Sequence, residues 1–168
     1  MIHVCSLARL HATVEETGAR HVVTLLKDTH LVERPRAVMQ QNHLILGMDD
    51  IVMPFDGYIA PAEEHVAQLI DFVIAWDRRA PLVVHCYAGI SRSTAGAFAA
   101  VCALNPHRDE AVIARELRRL SATATPNIRI VQLADDMLGR DGRMVAAIGA
   151  IGPGISAYEA EPFRLDLE

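Results

Sequence analysis

A chain of 168 residues, 51% apolar and 22% charged, can bury roughly two-thirds of its unfolded surface around one ordinary core, which excludes disorder and collagen-like repeats. The formal charge is −5 with histidine neutral, and no run of like charge forms a basic nucleic-acid arm or an acidic tail. Cys5, Cys86 and Cys102 are odd in number and widely spaced, which argues against a disulfide framework and for a reducing compartment. Polar residues interrupt the first eleven positions, so no secretion signal is visible. The longest apolar stretch, Ala95 to Leu104, is about half of the ~18 residues that span a bilayer. The expectation is one cytoplasmic domain over 1–168, without nucleic-acid or membrane partners.

Along the chain, short runs rich in Val, Ile and Leu read as buried strands: Ile2 to Leu7, Val22 to Leu26, and Leu44 to Leu46 with Met48. Between the first two, His11 to Gly18 reads as a short helix ended by a glycine. Val66, Leu69, Ile70, Val73 and Ile74 mark one helical face, opened by Pro61 with Glu63 and Glu64 at its positive end. Leu82 to His85 is a fourth strand, followed by a loop and a small-residue helix. Asn105-Pro106 and Thr125-Pro126 read as cap-plus-proline helix starts. Ile130, Leu133, Ala134, Met137 and Leu138 repeat the helical stripe, and a last helix over Arg143 to Ile151 stops at Gly152. Strands come first and helices later, which predicts an α/β fold of three layers, a short, mostly parallel sheet flanked by helices. Residues 157–168 carry no clear period and are read as a docked or flexible tail. Arg108, Arg115, Arg118 and Arg119, interleaved with Asp109, Glu110 and Glu116, read as a solvated helix face.

The chemistry is concentrated in Leu82 to Thr94, LVVHCYAGISRST. A cysteine at the end of a buried strand stands six residues before an arginine that opens a helix. The loop between them can turn its backbone N–H groups toward one centre, and the helix N-terminus adds positive charge there. Such a nest suits a tetrahedral dianion. Arg92 offers a planar fork for two phosphate oxygens, and Gly89 permits a tight loop. The same field favours a thiolate, which makes Cys86 a nucleophile. A buried free cysteine after a strand is more commonly just a small core residue, but here the strand, histidine, glycine, Arg-Ser pair and small-residue helix come together.

This stretch resembles the H-C-x5-R-[S/T] signature of the cysteine-dependent protein tyrosine and dual-specificity phosphatase superfamily, especially its compact members and a bacterial tyrosine-phosphatase-like group. Pro126-Asn127 followed by Gln132-Leu133 resembles the P-N-x4-Q-L stretch of dual-specificity enzymes, and the similarity runs from about Leu44 to Leu138. The resemblance implies a phosphatase fold and hydrolysis of phosphotyrosine, with phosphoserine and phosphothreonine as further substrates. Cys86 would be the nucleophile, and Tyr87, Ala88, Gly89, Ile90, Ser91 and Arg92 would hold the phosphate. Ser93 would help the thiolate leave, and His85 would hold the loop in place. The family's general acid is an aspartate on a loop before the preceding helix. Asp50 is the first choice, with Asp56 and Asp49 as alternatives. A phosphorylated protein is the expected partner, with phosphate, sulfate or vanadate in the loop, and neither metal nor cofactor is needed. Two other readings stay open: a phosphate-recognising module without turnover, and a thiol-based arsenate reductase, for which Cys5 is the only candidate resolving cysteine.

Overall fold

The computed structural model describes residues 1–167. Five strands form one sheet: β1 (Ile2–Ser6), β2 (His21–Leu25), β3 (His43–Leu46), β4 (Leu82–Cys86) and β5 (Phe163–Leu165), in the order β3-β2-β4-β1-β5. The first four run parallel and β5 runs antiparallel to β1. Every residue of β4 is buried, as a central parallel strand covered on both faces requires.

Among the described residues six α-helices cover the sheet: α1 (Leu10–Thr17), α2 (Glu63–Ala75), α3 (Arg92–Leu104), α4 (Glu110–Leu120), α5 (Ile128–Met137) and α6 (Arg143–Ile151). The α/β architecture matches expectation, with unequal layers. Leu10 and Val14 of α1 pack on Cys5, Val22 and Val83. The larger core, on the other face, joins Val4, Val23, Val84 and Cys86 to side chains of the five later helices. Eleven consecutive residues of α3, Arg92 to Cys102, are buried, which explains its small side chains: a Cβ at Gly96 would meet Leu25 Cδ1 at 2.6 Å.

Several boundaries differ from the sequence reading. Pro61 precedes the α2 cap instead of opening the helix, and Ile74 faces solvent. Asn105 ends α3, donating its side-chain amide to Val101 O at 2.8 Å, and α4 is capped by Asp109, which accepts from Val112 N at 2.9 Å. Helix α5 starts after Asn127, not at Thr125-Pro126, and its buried face includes Val131 and Asp135 while Met137 is exposed. Asp135 accepts from Gly142, Met144 and Val145 N–H groups at the start of α6. Nor is the charged stretch of α4 simply a solvated face. Glu110 is buried against Arg140 at 2.6 Å, and Arg118 donates to the carbonyls of Ala124, Ile151, Gly152 and Pro153. Part of the unassigned tail docks as β5.

Candidate active site

Strand β4 delivers Cys86 to the carboxyl end of the sheet between β1 and β2, where open α/β sheets place their ligands. The following loop is held from outside through its carbonyls. Tyr87 O accepts from Leu7 N, Ala88 O from Ala160 N, Ile90 O from Thr125 N, and Ser91 O from Asn127 N. Among the described residues, no acceptor pairs with the backbone N–H groups from Tyr87 to Arg92. Tethering the carbonyls outward thus leaves a set of free donors, the property an anion nest needs. Gly89 makes the turn with φ +75°, and a Cβ there would lie 2.9 Å from Cys5 C and Ser6 N.

Cys86 is buried, and its Sγ lies 3.2 Å from Ser93 Oγ on the first turn of α3. Arg92 is also buried. It donates to Met48 O at 2.8 Å, and its Nε–H has no protein partner. A buried guanidinium N–H without an acceptor is costly unless a ligand supplies one. His85 projects to the other face of the sheet, where Nδ1 lies 3.3 Å from Cys86 O and Nε2 lies 2.7 Å from Thr24 Oγ1. Burial pushes its pKa down to about 4, outweighing the hydrogen bond to Cys86 O, so the ring is neutral near pH 7.

The three aspartates separate clearly. Asp50 Oδ1 accepts from Ser91 Oγ and Asn127 Nδ2, both at 2.8 Å, which sets this carboxylate beside the signature loop. Asp49 instead accepts from Ile59 N at 2.7 Å and pairs with Lys27 at 3.2 Å, bracing its own loop. Although its partial burial raises the pKa, the bonds from Ile59 and Lys27 prevail and hold it below the usual value. Asp56 lies on an exposed turn of the same loop and, among the described residues, makes no hydrogen bond to the signature loop.

Asn127, which the sequence marks only through its resemblance to the P-N-x4-Q-L stretch, joins three parts of the site. Its Oδ1 caps α5 by accepting from Arg129 N and Ile130 N, its Nδ2 donates to Asp50 and Ile51 O, and its N–H holds Ser91 O. The Pro-Asn pair before an apolar stripe was the available signal. Met48 and Thr24 carried no signal, because a main-chain acceptor and a strand threonine look ordinary in sequence. Cys5 belongs to the cluster around α1 and Cys86 to the cluster on the opposite face of the sheet. Burial raises the Cys5 and Cys102 thiols to about 12.

The fold is that of solved tyrosine and dual-specificity phosphatases. Among solved structures it resembles the PTP-2 phosphatase of Cydia pomonella, with 17% identity, TM-score 0.63, and coverage of 80% of this chain and 84% of that one. The Yvh1 phosphatase domain from Chaetomium thermophilum matches at 17% identity and TM-score 0.61, covering 85% and 93%. PTPMT1, solved in complex with PI(5)P, matches at 12% identity and TM-score 0.62, covering 90% and 94%. No protein-family model and no curated protein matches the sequence. Among the described residues, no group of three His, Cys, Asp or Glu side chains could hold a metal ion, and no helix is long and apolar enough to cross a membrane.

Proposed function

We propose that the chain, as one phosphatase-like domain over 1–168, hydrolyses phosphotyrosine in protein substrates, with phosphoserine and phosphothreonine as secondary substrates. The observation that carries this reading is that one short segment holds the buried Cys86, the partnerless Nε–H of Arg92 and loop amides without acceptors, which supports an anion site there. In the first step the Cys86 thiolate attacks phosphorus in line, and the bond to the leaving oxygen breaks as Asp50 protonates that oxygen. Arg92 and the amides from Tyr87 to Ser91 stabilise charge on the equatorial oxygens. With Oδ1 of Asp50 engaged by two donors, the transferred proton belongs on Oδ2. In the second step water attacks the phosphocysteine while Asp50, now ionised, accepts its proton. Ser93 donates to the departing sulfur. The chemistry requires Cys86 as a free thiolate, which fits a reducing, cytoplasmic setting.

Substrate class follows from the rim. Val52, Met53, Phe55 and Tyr58 on the Asp50 loop, and Tyr87 on the signature loop, are exposed and apolar or aromatic. Between Tyr87 and Thr94 the only formal side-chain charge is Arg92. That combination suits an aryl phosphate in a polypeptide better than a polyanionic headgroup such as the one bound to PTPMT1. An arsenate-reductase reading lacks support, since Cys5, its candidate resolving thiol, lies in the opposite cluster.

The test is release of phosphate from a phosphotyrosyl peptide, p-nitrophenyl phosphate and PI(5)P by the wild type, Cys86→Ser, Asp50→Asn and Asp56→Asn. Activity on the first two that vanishes in Cys86→Ser and falls about 100-fold in Asp50→Asn supports the reading. Equal turnover by Cys86→Ser overturns the mechanism. Loss in Asp56→Asn alone reassigns the acid, and vanadate binding without any hydrolysis would favour a recognition module.

A further inference from the structure

Behind the signature loop, four polar groups on three adjacent strands form a line: His43 of β3, Thr24 of β2, His85 of β4 and the Cys86 carbonyl. His43 Nε2 lies 2.8 Å from Thr24 Oγ1, which lies 2.7 Å from His85 Nε2, and His85 Nδ1 lies 3.3 Å from Cys86 O. The proton positions follow from the end of the line. A carbonyl oxygen only accepts, so His85 Nδ1 carries the hydrogen. The buried ring is neutral, which makes Nε2 an acceptor and directs the Thr24 hydroxyl proton toward it. Thr24 Oγ1 then accepts from His43, whose Nε2 must carry a hydrogen.

We propose that Thr24 and His43 are positioning residues for Cys86: they select the His85 tautomer that donates to the Cys86 carbonyl, and all three hydrogen bonds point from the sheet edge toward the signature loop. The aligned bonds reinforce one another in the dry interior and hold the main chain of the nucleophile in the orientation its neighbours require. Without the Thr24 hydroxyl proton, His85 can move its hydrogen to Nε2 and present a lone pair to a carbonyl, a repulsive contact beneath the thiolate. The outer end of the line is partly open to a cleft lined by Val32, Arg34, Gln40, His43 and Ile45. Arg34 is the charged group facing His43. His11 of α1 and Arg92 of α3 act on His85 from their own elements. A proton added to His43 Nδ1 would leave the Nε2 bond and its direction intact.

The inference rests on Cys86 being the reactive thiol, and its test does not require phosphatase turnover. Iodoacetamide alkylation of Cys86 at pH 6 is followed by mass spectrometry on the full chain, alongside kcat and KM for p-nitrophenyl phosphate. Thr24→Val, nearly isosteric, lowers the alkylation rate and kcat about tenfold with KM within about twofold, and Thr24→Ser restores both. His43→Phe, which cannot donate, loses about threefold or more, whereas His43→Gln, which can, stays near wild type. Wild-type alkylation in a folded Thr24→Val chain overturns the proposal, as does an equal loss in Thr24→Ser. Should Thr24→Val fail to fold, the contrast between His43→Phe and His43→Gln decides the matter, and equal behaviour of those two overturns it. If the alkylation pattern appears but no phosphate is released by any variant, the positioning line stands and the phosphatase reading falls.

Discussion

At Gly89 two constraints coincide: a left-handed backbone and a main-chain approach to β1 closer than any Cβ tolerates. Gly89→Ala must therefore push the loop away from Cys5 and Ser6, reorienting its amides. The expected loss is about 2 kcal/mol of stability, with vanadate affinity falling more than about tenfold. Thermal unfolding and vanadate inhibition measure the two effects, and unchanged vanadate affinity would show that the loop's curvature is not set here. Ser93 presents a different case. Its hydroxyl sits 3.2 Å from Cys86 Sγ, and in the proposed mechanism it acts when sulfur departs as thiolate. Ser93→Ala should lower kcat about tenfold, one hydrogen bond's worth, while the first turnover stays fast. A stopped-flow burst followed by slow release is the expected trace. A uniformly slow trace without a burst would assign Ser93 to the first step instead.

Among the elements, α5 shows how a cap becomes part of a site. Asn127 closes the helix with its Oδ1 and reaches Asp50 with its Nδ2, so one side chain fixes helix start and aspartate together. Asn127→Ser separates the tasks: its hydroxyl still accepts from the helix N–H groups but is too short to reach Asp50. Melting should change by less than about 1 kcal/mol, while kcat/KM for phosphotyrosyl peptide falls about tenfold or more. Asn127→Ala should lose both, and an active Asn127→Ser would show that Asp50 is held well enough by Ser91 alone. The sequence made the first four strands, α2, α6 and the signature loop legible because each rests on local period or on one contiguous motif. Helix starts were less legible. Asn105-Pro106 and Asp109 both carry cap chemistry, and the choice fell to Asp109 because Asn105 was already closing α3 and its carbonyl receives Arg140. Three-residue β5 is too short to show alternation, and its place depends on pairing with β1 across the chain's whole length. Asp50 could be singled out only after folding, since what distinguishes it from Asp49 is contact with Ser91 and Asn127, 41 and 77 residues away.

For the whole molecule, the histidines set the acid limit. His3, His21, His43, His65 and His85 all have pKa values lowered chiefly by burial, and His85 reaches about 4. In the unfolded chain each takes up a proton near pH 6.5, while the folded chain resists until lower pH. Between those values the unfolded state binds more protons, so stability is greatest above pH 6.5 and drains away as pH falls toward 4. His85 alone should remove about 2 kcal/mol between pH 7.5 and pH 5, from a unit being worth roughly 1.4 kcal/mol. The depressed carboxylates cannot mimic this effect. Burial alone would raise Glu110, but a backbone N–H bond at the helix start and hydrogen bonds from Arg140 and Arg143 hold it low, so its contribution is lost only below its unfolded value of 4.5. Urea midpoints for wild type and His85→Asn at pH 7.5, 6 and 5 isolate the window. The wild type should lose stability across it, and the variant, less stable at pH 7.5, should lose less. Parallel curves for the two proteins would mean that His85 accepts a proton without unfolding, and the neutral ring that orders the line behind Cys86 would have to be abandoned.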